Sequence, residues 1–479
     1  MAGAWGVVVA VTTIGGSLLA SGHAILYKRD TRATVLWVAF IWLAPVGGAV
    51  FYLLLGVNRI KRRAVLLRST GPRRDRAALE RLRGATPDLP PVVVVRPELG
   101  RLIRLVENVV HAPLQAGNHV EPRFDGDEAY PDMLAAIDDA TQSVALCTYI
   151  FDRDPTGVRF VHALQRAVSR GVHVRVLVDD TGARYSFPTI VTVLRRAGVP
   201  VARFLPTLAP IRTLALNMRC HRKLLLVDGR IAFTGGMNIR AGHETAPDGT
   251  IQIRDTHFRV EGPVVAQLRD VFADDWLFTT GEAIEGPRWF PELAVAGDAY
   301  ARVVADGPDE NLDRLRWTLL GALASATSRV CIVTPYFLPD PALISALNTA
   351  ALRGVSVEIL LPETNNLPYV KWASAAHFWQ VLERGCRIFM VPGPFDHSKV
   401  MIVDGAWCFF GSSNWDPRSL RLNFELDMEC YSMPLSRQLV EWFEKRQAAA
   451  HEVTLDEVNG RSLPVRLRDG IARLATPFL

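Results

Sequence analysis

His221-Arg-Lys223-Leu-Leu-Leu-Val-Asp228, continuing to Gly235, Gly236 and Asn238, has a second copy in His397-Ser-Lys399-Val-Met-Ile-Val-Asp404, continuing to Gly411, Ser412 and Asn414. The offset between the copies is constant at every matched position. Each apolar run, LLLV and VMIV, is closed by Asp-Gly and reads as a buried strand ending in a turn. Side chains alternate faces along a strand, so His221 and Lys223 share one face, as do His397 and Lys399. Asp228 and Asp404 lie an odd number of positions beyond the lysines and fall on the opposite face. The two motifs together form the candidate catalytic set, and alternation gives the aspartates within it a supporting place.

Histidine beside lysine suits a phosphate ester. The ammonium is a compact cation for non-bridging oxygens, and an imidazole either attacks phosphorus or, once protonated, supplies a proton to a departing oxygen. Two such pairs facing each other provide a nucleophile on one side and a general acid on the other, as in-line displacement requires. Asn238 and Asn414 would hold phosphoryl oxygens, and the small residues Gly235, Gly236, Gly411 and Ser412 would let the backbone approach the phosphate. A lone H-x-K is common and says little; two copies that preserve the same polar positions are not explained by a core requirement. No metal is expected, because a protonated lysine beside each histidine repels a cation and the cysteines are scattered.

The repeated H-x-K-x(4)-D-x(6)-G-(G/S)-x-N pattern resembles the phospholipase D superfamily, and the wider sequence resembles its bacterial cardiolipin synthase branch. The resemblance rests on KRDTRATVLW, HRKLLLVDGRIAFTGGMNI, RDTHFRVEGPVV and GSSNWDPRSLRLNFELDMECY, and covers nearly the whole chain. It implies a membrane-bound phosphatidyltransferase that condenses two phosphatidylglycerol molecules, one as donor and one as acceptor, into cardiolipin and glycerol. One histidine would carry a phosphohistidine, the other would protonate the departing alcohol, and no cofactor would be used. It also assigns to Glu425, in Asn423-Phe-Glu425, and to Asp255, in Arg254-Asp-Thr-His257, the task of holding an imidazole; spacing does not, and a structural salt bridge is the alternative. His257 reads as structural or as part of the substrate rim. The chain departs from relatives at Cys220, where Asn is usual, and at Arg240-Ala-Gly-His243, where an acidic run is usual, which bears on headgroup preference.

The 479 residues allow two or three domains with a large core, and a formal charge of +5 is modest but unevenly spread. Six cysteines without paired spacing read as buried thiols in a reducing compartment. Trp5 to Leu26 and Val35 to Gly56 are apolar, each long enough to span about 30 Å as a helix. The short connection between them makes a hairpin. Lys28, Arg29 and Arg32 sit in its loop, whereas Arg59, Lys61, Arg62, Arg63, Arg68, Arg73, Arg74 and Arg76 follow the second span. The larger cluster should stay inside, placing the catalytic body in the cytoplasm at the inner membrane. That cluster also suits an anionic membrane surface.

The expected organisation is a transmembrane hairpin (1–58), a basic segment and connector (59–117), two phospholipase D-like domains (118–285 and 300–452) and a tail (453–479). The halves are internal repeats. SVALCTYIF (143–151), a helix through VHALQRAVSR and GVHVRVLVDD (171–180) recur as RVCIVTPYF (329–337), a helix through LISALNTAALR and GVSVEILLPE (354–363). Such strand-helix-strand units predict an α/β fold with a mixed sheet in each half, related by a pseudo-two-fold axis that brings both H-x-K strands to one cleft. The apolar stretch FLPTLAPIRTLALNMRC before His221 has two readings, a segment dipping into the membrane or an interior loop. The tail from Leu463 alternates leucine with arginine and reads as a short surface-bound helix.

A hydrolase using water, either phospholipase or nuclease, is the alternative chemistry. No extended basic stripe with interleaved aromatics supports nucleic acid as a partner. A catalytically silent membrane scaffold is disfavoured by two complete motifs. The sequence leaves the oligomeric state open.

Overall fold

The computed structural model describes residues 2–28, 31–56, 89–206, 218–308, 311–474 and 476. The basic cluster from Arg59 to Arg76, Arg29 in the hairpin loop and most of the apolar stretch before His221 lie outside the described residues. The chain divides into two compact units.

The amino-terminal unit is helical. Ala2–Tyr27 forms one helix, and within it Trp5–Tyr27 is the one described helix long and apolar enough to cross a membrane. The second expected span is interrupted. Thr31–Leu43 is followed at Ala44 by a non-helical residue (φ −134°, ψ 73°), then by Pro45–Phe51 and a π-helical turn Tyr52–Gly56. Pro45 has no N–H to donate and its ring crowds the preceding turn, which interrupts the helix there. Tyr52 returns to the first helix, with its hydroxyl 2.7 Å from His23 Nδ1.

The larger unit carries the sequence repeat as a structural one. In the first half the strands are β1 (Gln115–Phe124), β2 (Ser143–Thr148), β3 (His173–Asp179), β4 (Val201–Phe204), β5 (Leu224–Val227), β6 (Ile231–Gly235), β7 (Ile253–Arg254) and β8 (Thr256–Glu261). In the second they are β9 (Ala299–Asp306), β10 (Arg329–Val333), β11 (Ser356–Pro362), β12 (Arg387–Val391), β13 (Phe395–Asp396), β14 (Val400–Val403), β15 (Trp407–Gly411), β16 (Glu425–Tyr431) and β17 (His451–Val453). Neighbour order is β1-β8-β6-β5-β2-β3-β4 in one half and β9-β16-β15-β14-β10-β11-β12-β17 in the other, so each sheet is mixed and the two match strand for strand apart from the added edge strand β17. Antiparallel pairing of β1 with β9 joins them into fifteen strands. Phe258 and Phe410, one from each half, stack with ring centroids 3.7 Å apart.

The local signals explain the elements. The helix Pro155–Ser169 starts at Asp154, whose side chain accepts from Gly157 N, and Pro341–Leu352 starts at Asp340, which accepts from Ala342 N and Leu343 N. Both use an Asp cap followed by Pro, which has no N–H to leave unpaired in the first turn. β2, β5 and β14 are buried along their whole length, as largely apolar runs covered on both faces should be. The connector helix Leu99–Val110 joins the core of the second half, where Leu102, Ile103 and Val106 pack with Leu319 and Leu323 of Arg314–Ser325. All six cysteines are free and buried.

Candidate active site

His221 and Lys223 lie in the extended run-in to β5, and His397 and Lys399 in the run-in to β14, so the regular strands begin one residue after each lysine. The histidine and lysine of the first motif do share a side: the Tyr149 ring lies 5.2 Å from the His221 ring and 5.5 Å from Lys223 Nζ. Each ammonium donates back to the carbonyl of its own histidine, Lys223 at 2.7 Å and Lys399 in the same way. Both histidines line a single cavity of about 380 Å³ together with Asn238, Asn414 and Tyr336.

The acids arrive from opposite halves. His221 Nδ1 lies 2.9 Å from Glu425 Oε2, and His397 Nδ1 lies 2.7 Å from Asp255 Oδ2. Backbone pairing enforces the exchange. His221 N donates to Phe424 O, and Phe424 N to Arg219 O, which sets Glu425 beside His221. In the other crossing β7 runs parallel to β13, with Asp396 opposite Arg254, and His397 N donates to Arg254 O. An ionised carboxylate only accepts, so each Nδ1 carries the proton and Nε2 is the nitrogen left for a ligand. Glu425 is held further by Asn423 Nδ2 at 3.0 Å and by the Ser412 hydroxyl, and Asp255 by Thr256 N at 2.8 Å.

The glycines after the strands are closed in by the neighbouring strand, Gly236 by the carboxylate of Asp255 itself, and are not open to phosphate. A Cβ on Gly236 would stand 2.2 Å from Asp255 Oδ1, one on Gly235 would stand 2.5 Å from Thr256 O, and one on Gly411 would meet Asp427 Oδ1 at 2.4 Å. Ser412 spends its hydroxyl on Glu425, and none of Gly235, Gly236, Gly411 and Ser412 lines the cavity. The expected phosphate contact through these four residues is corrected accordingly. Asn238 fits better: Ile150 N occupies its Oδ1 at 3.1 Å, leaving its NH2 to offer. Asn414 also faces the cavity.

Asp228 and Asp404 stand apart from the reacting groups. Each occupies a turn with positive φ (50° and 53°). Asp228 accepts from Thr141 N, Gln142 N and Ser143 N, while Asp404 accepts from Thr327 N, Ser328 N and Arg329 N. These bonds outweigh burial and hold both carboxyls below their usual range. They fasten the entrances of β2 and β10, so the aspartates of the motif are corrected to structural residues.

Burial dominates the electrostatics. It pushes His221 down to about 4, against the pull of Glu425 and with a further push from Lys223. His397 is lowered well below its usual value by burial and by Lys399, Lys223 and His221. Burial brings Lys223 to about 7, with Lys399 lowering it further, and Lys399 to about 8, against the pull of Asp255 and Glu425. The two acids differ. Asp255 is raised to about 6 by burial, against Lys399. Burial would raise Glu425 too, but His221, Lys223 and Ser412 outweigh it and the carboxyl ends below its usual value.

Sequence reasoning did not place His243 at the site, although it marked the stretch as unusual. It is buried, lines the cavity and interacts electrostatically with Asp255 and His397. His257 is buried and does not line the cavity.

Residues 133–276 and 319–447, more than half the chain, match the family described as cardiolipin synthase, PLD-like domain. The chain belongs to this family. Residues 16–56 match a second family, described as phospholipase D-nuclease N-terminal. A cardiolipin synthase of a Geobacillus species is 30% identical over 460 residues, covering 95% of this chain and 90% of the relative. One from Halalkalibacterium halodurans is 29% identical over 480 residues, covering 100% and 94%. Phosphatidylserine synthase of Haemophilus influenzae shares the fold, with a TM-score of 0.62 at 16% identity over 79% of this chain and 100% of that one. Membership makes the protein an enzyme of the phospholipase D type, a phosphatidyltransferase, and a membrane-associated one with an apolar amino-terminal helix.

Proposed function

We propose that the enzyme condenses two phosphatidylglycerol molecules to cardiolipin and glycerol through a phosphohistidine on His221. The observation that carries the reading is the convergence of the histidines of both motifs on one cavity, each imidazole tied through Nδ1 to a carboxylate of the other half. The donor's phosphodiester enters between Lys223 and Lys399. Nε2 of His221 forms a bond to phosphorus while the bond to the glycerol oxygen breaks, and His397 supplies that oxygen's proton. The arriving anion offsets the cations that lower His397 and lets it take up the proton it gives. A hydroxyl of the second phosphatidylglycerol then returns a proton to His397 and displaces His221, leaving cardiolipin and the free enzyme.

The difference between the acids supports His221 as the nucleophile. Glu425 is the more firmly ionised carboxylate, and it stabilises the positive charge that His221 acquires on attack. The lysines and the amides of Asn238 and Asn414 hold the phosphoryl oxygens. A hydrolase reading has no comparable support among the relatives.

The body is placed on the cytoplasmic side of the inner membrane, with both apolar helical stretches crossing the bilayer. The basic sequence after Gly56 supports this orientation. Purified protein in phosphatidylglycerol bilayers tests the chemistry. Cardiolipin and glycerol rising in equal amounts is the expected result; phosphatidic acid as the main product would mean that water is the acceptor.

A further inference from the structure

The carboxy-terminal helix Leu463–Leu474 has two faces with different fates. Asp469 is buried, bonded to Arg461 and Arg468, and Ala472 packs against the cluster of Leu338, Val370 and Ala373. On the other side Leu463, Leu467, Ile471 and Leu474 are 67%, 57%, 67% and 76% exposed. At about 100° per residue these four fall within an arc of roughly 80°, with Arg466 and Arg473 along one edge and Arg468 along the other. Four large apolar side chains in one exposed stripe form a contact surface, unlike apolar residues scattered singly.

The helix is built onto the wall of the active site. Leu338 and Val370, which receive Ala472, line the catalytic cavity, as do Leu367 and Tyr369 at the start of the helix Pro368–Ala375. Arg461 bonds Ala375 O, and the Arg468 guanidinium lies 4.7 Å from the Trp372 ring. A surface that engages the stripe therefore also fixes the orientation of that wall. Tyr369 and Tyr185, two further cavity residues, are 45% and 60% exposed.

We propose that Leu463–Leu474 is an interfacial helix that docks on an anionic bilayer and presents the cavity mouth to lipid. An apolar stripe edged by Arg466 and Arg473 matches the boundary between acyl chains and anionic headgroups, where guanidinium groups reach outward while leucines sink. The amino-terminal helix Trp5–Tyr27, long and apolar enough to cross a membrane, argues for a bilayer as the surface this chain meets. The inference rests on the reading that the substrate is a lipid, and it adds how that lipid reaches the site: the wall formed by Leu367, Tyr369 and Val370 would be held at the interface.

The test uses the full chain in phosphatidylglycerol nanodiscs. The native cysteines are buried, so Leu467→Cys gives a thiol for selective attachment of a bimane fluorophore. The expected result is a blue-shifted emission quenched by acyl-chain-brominated phosphatidylglycerol and protected from iodide. Quenching by iodide without quenching by bromine would overturn the proposal, as would protection from both quenchers with crosslinking of Leu467→Cys between two copies. A second variant, Leu467→Glu with Ile471→Glu, should form cardiolipin about tenfold more slowly in bilayers and at the wild-type rate in micelles of short-chain phosphatidylglycerol. Equal loss in both would overturn docking. If the wild type formed no cardiolipin in either medium, the substrate reading itself would fail, whatever the fluorophore reports.

Discussion

Glu425 of the second half lies 2.9 Å from His221 of the first, and Asp255 of the first half completes the exchange with His397. Neither half holds a finished histidine-carboxylate pair by itself. Glu425→Gln should lower kcat about a hundred- to ten-thousand-fold with little change in KM, because it removes the charge that stabilises the imidazolium. Gly236→Ala should reproduce Asp255→Asn, since the added Cβ would collide with Asp255. Steady-state kinetics on variants with wild-type circular dichroism check both. Wild-type kcat in Glu425→Gln would mean that the pair only supports the fold.

The covalent intermediate should form on His221. Rapid quenching and mass spectrometry should find the phosphatidyl group on His221 in the wild type and none in His221→Ala. His397→Ala should still accumulate some from a donor with a good leaving group, which needs no acid. An adduct on His397 in the wild type would reverse the assignment.

Activity should fall on the alkaline side earlier than a lysine-dependent enzyme ordinarily would. Lys223 and Lys399 are protonated below about 7 and about 8 and lose their protons as pH rises through those values. kcat/KM, which reports the free enzyme, should decline across that interval. A bound phosphate anion favours the protonated lysines, so the corresponding limb of kcat should lie at higher pH. On the acid side, protonation of His221 near about 4 removes the attacking lone pair. A kcat/KM profile flat through the lysine interval would contradict this account.

Asp228→Ala and Asp404→Ala should cost stability and spare chemistry. Each removes the acceptor of three backbone N–H groups, a loss of about 1–3 kcal/mol. Denaturant melts should show the loss, while the rate per folded molecule stays near wild type. A collapse of kcat in a fully folded Asp228→Ala would return the aspartates to the reacting set.

A reporter fused after Leu479 should lie in the cytoplasm, and one inserted near Arg29 on the opposite side, if the basic sequence after Gly56 is the retained signal. A periplasmic carboxy terminus would overturn that orientation.

The sequence by itself determined the repeat, the strands that carry it, the helices between them and the two H-x-K motifs. Those features are written in local spacing: apolar runs closed by Asp-Gly, Asp-Pro helix starts, and one constant offset. Alternation along the strand set Asp228 and Asp404 on the face opposite the lysines, and tertiary structure supplied the backbone N–H groups they accept from. Tertiary structure decided the rest. That Glu425 serves His221 follows from the pairing of Phe424 with the residues flanking Cys220, a contact between halves that no spacing within one half records. The meaning of Gly236 likewise depended on a carboxylate from the neighbouring strand occupying the volume a side chain would need. Leu99–Val110, by sequence a connector, entered the second core because its amphipathic face met Arg314–Ser325 across a large gap in the chain. Periodicity specifies which face of an element must be buried; only packing decides against what.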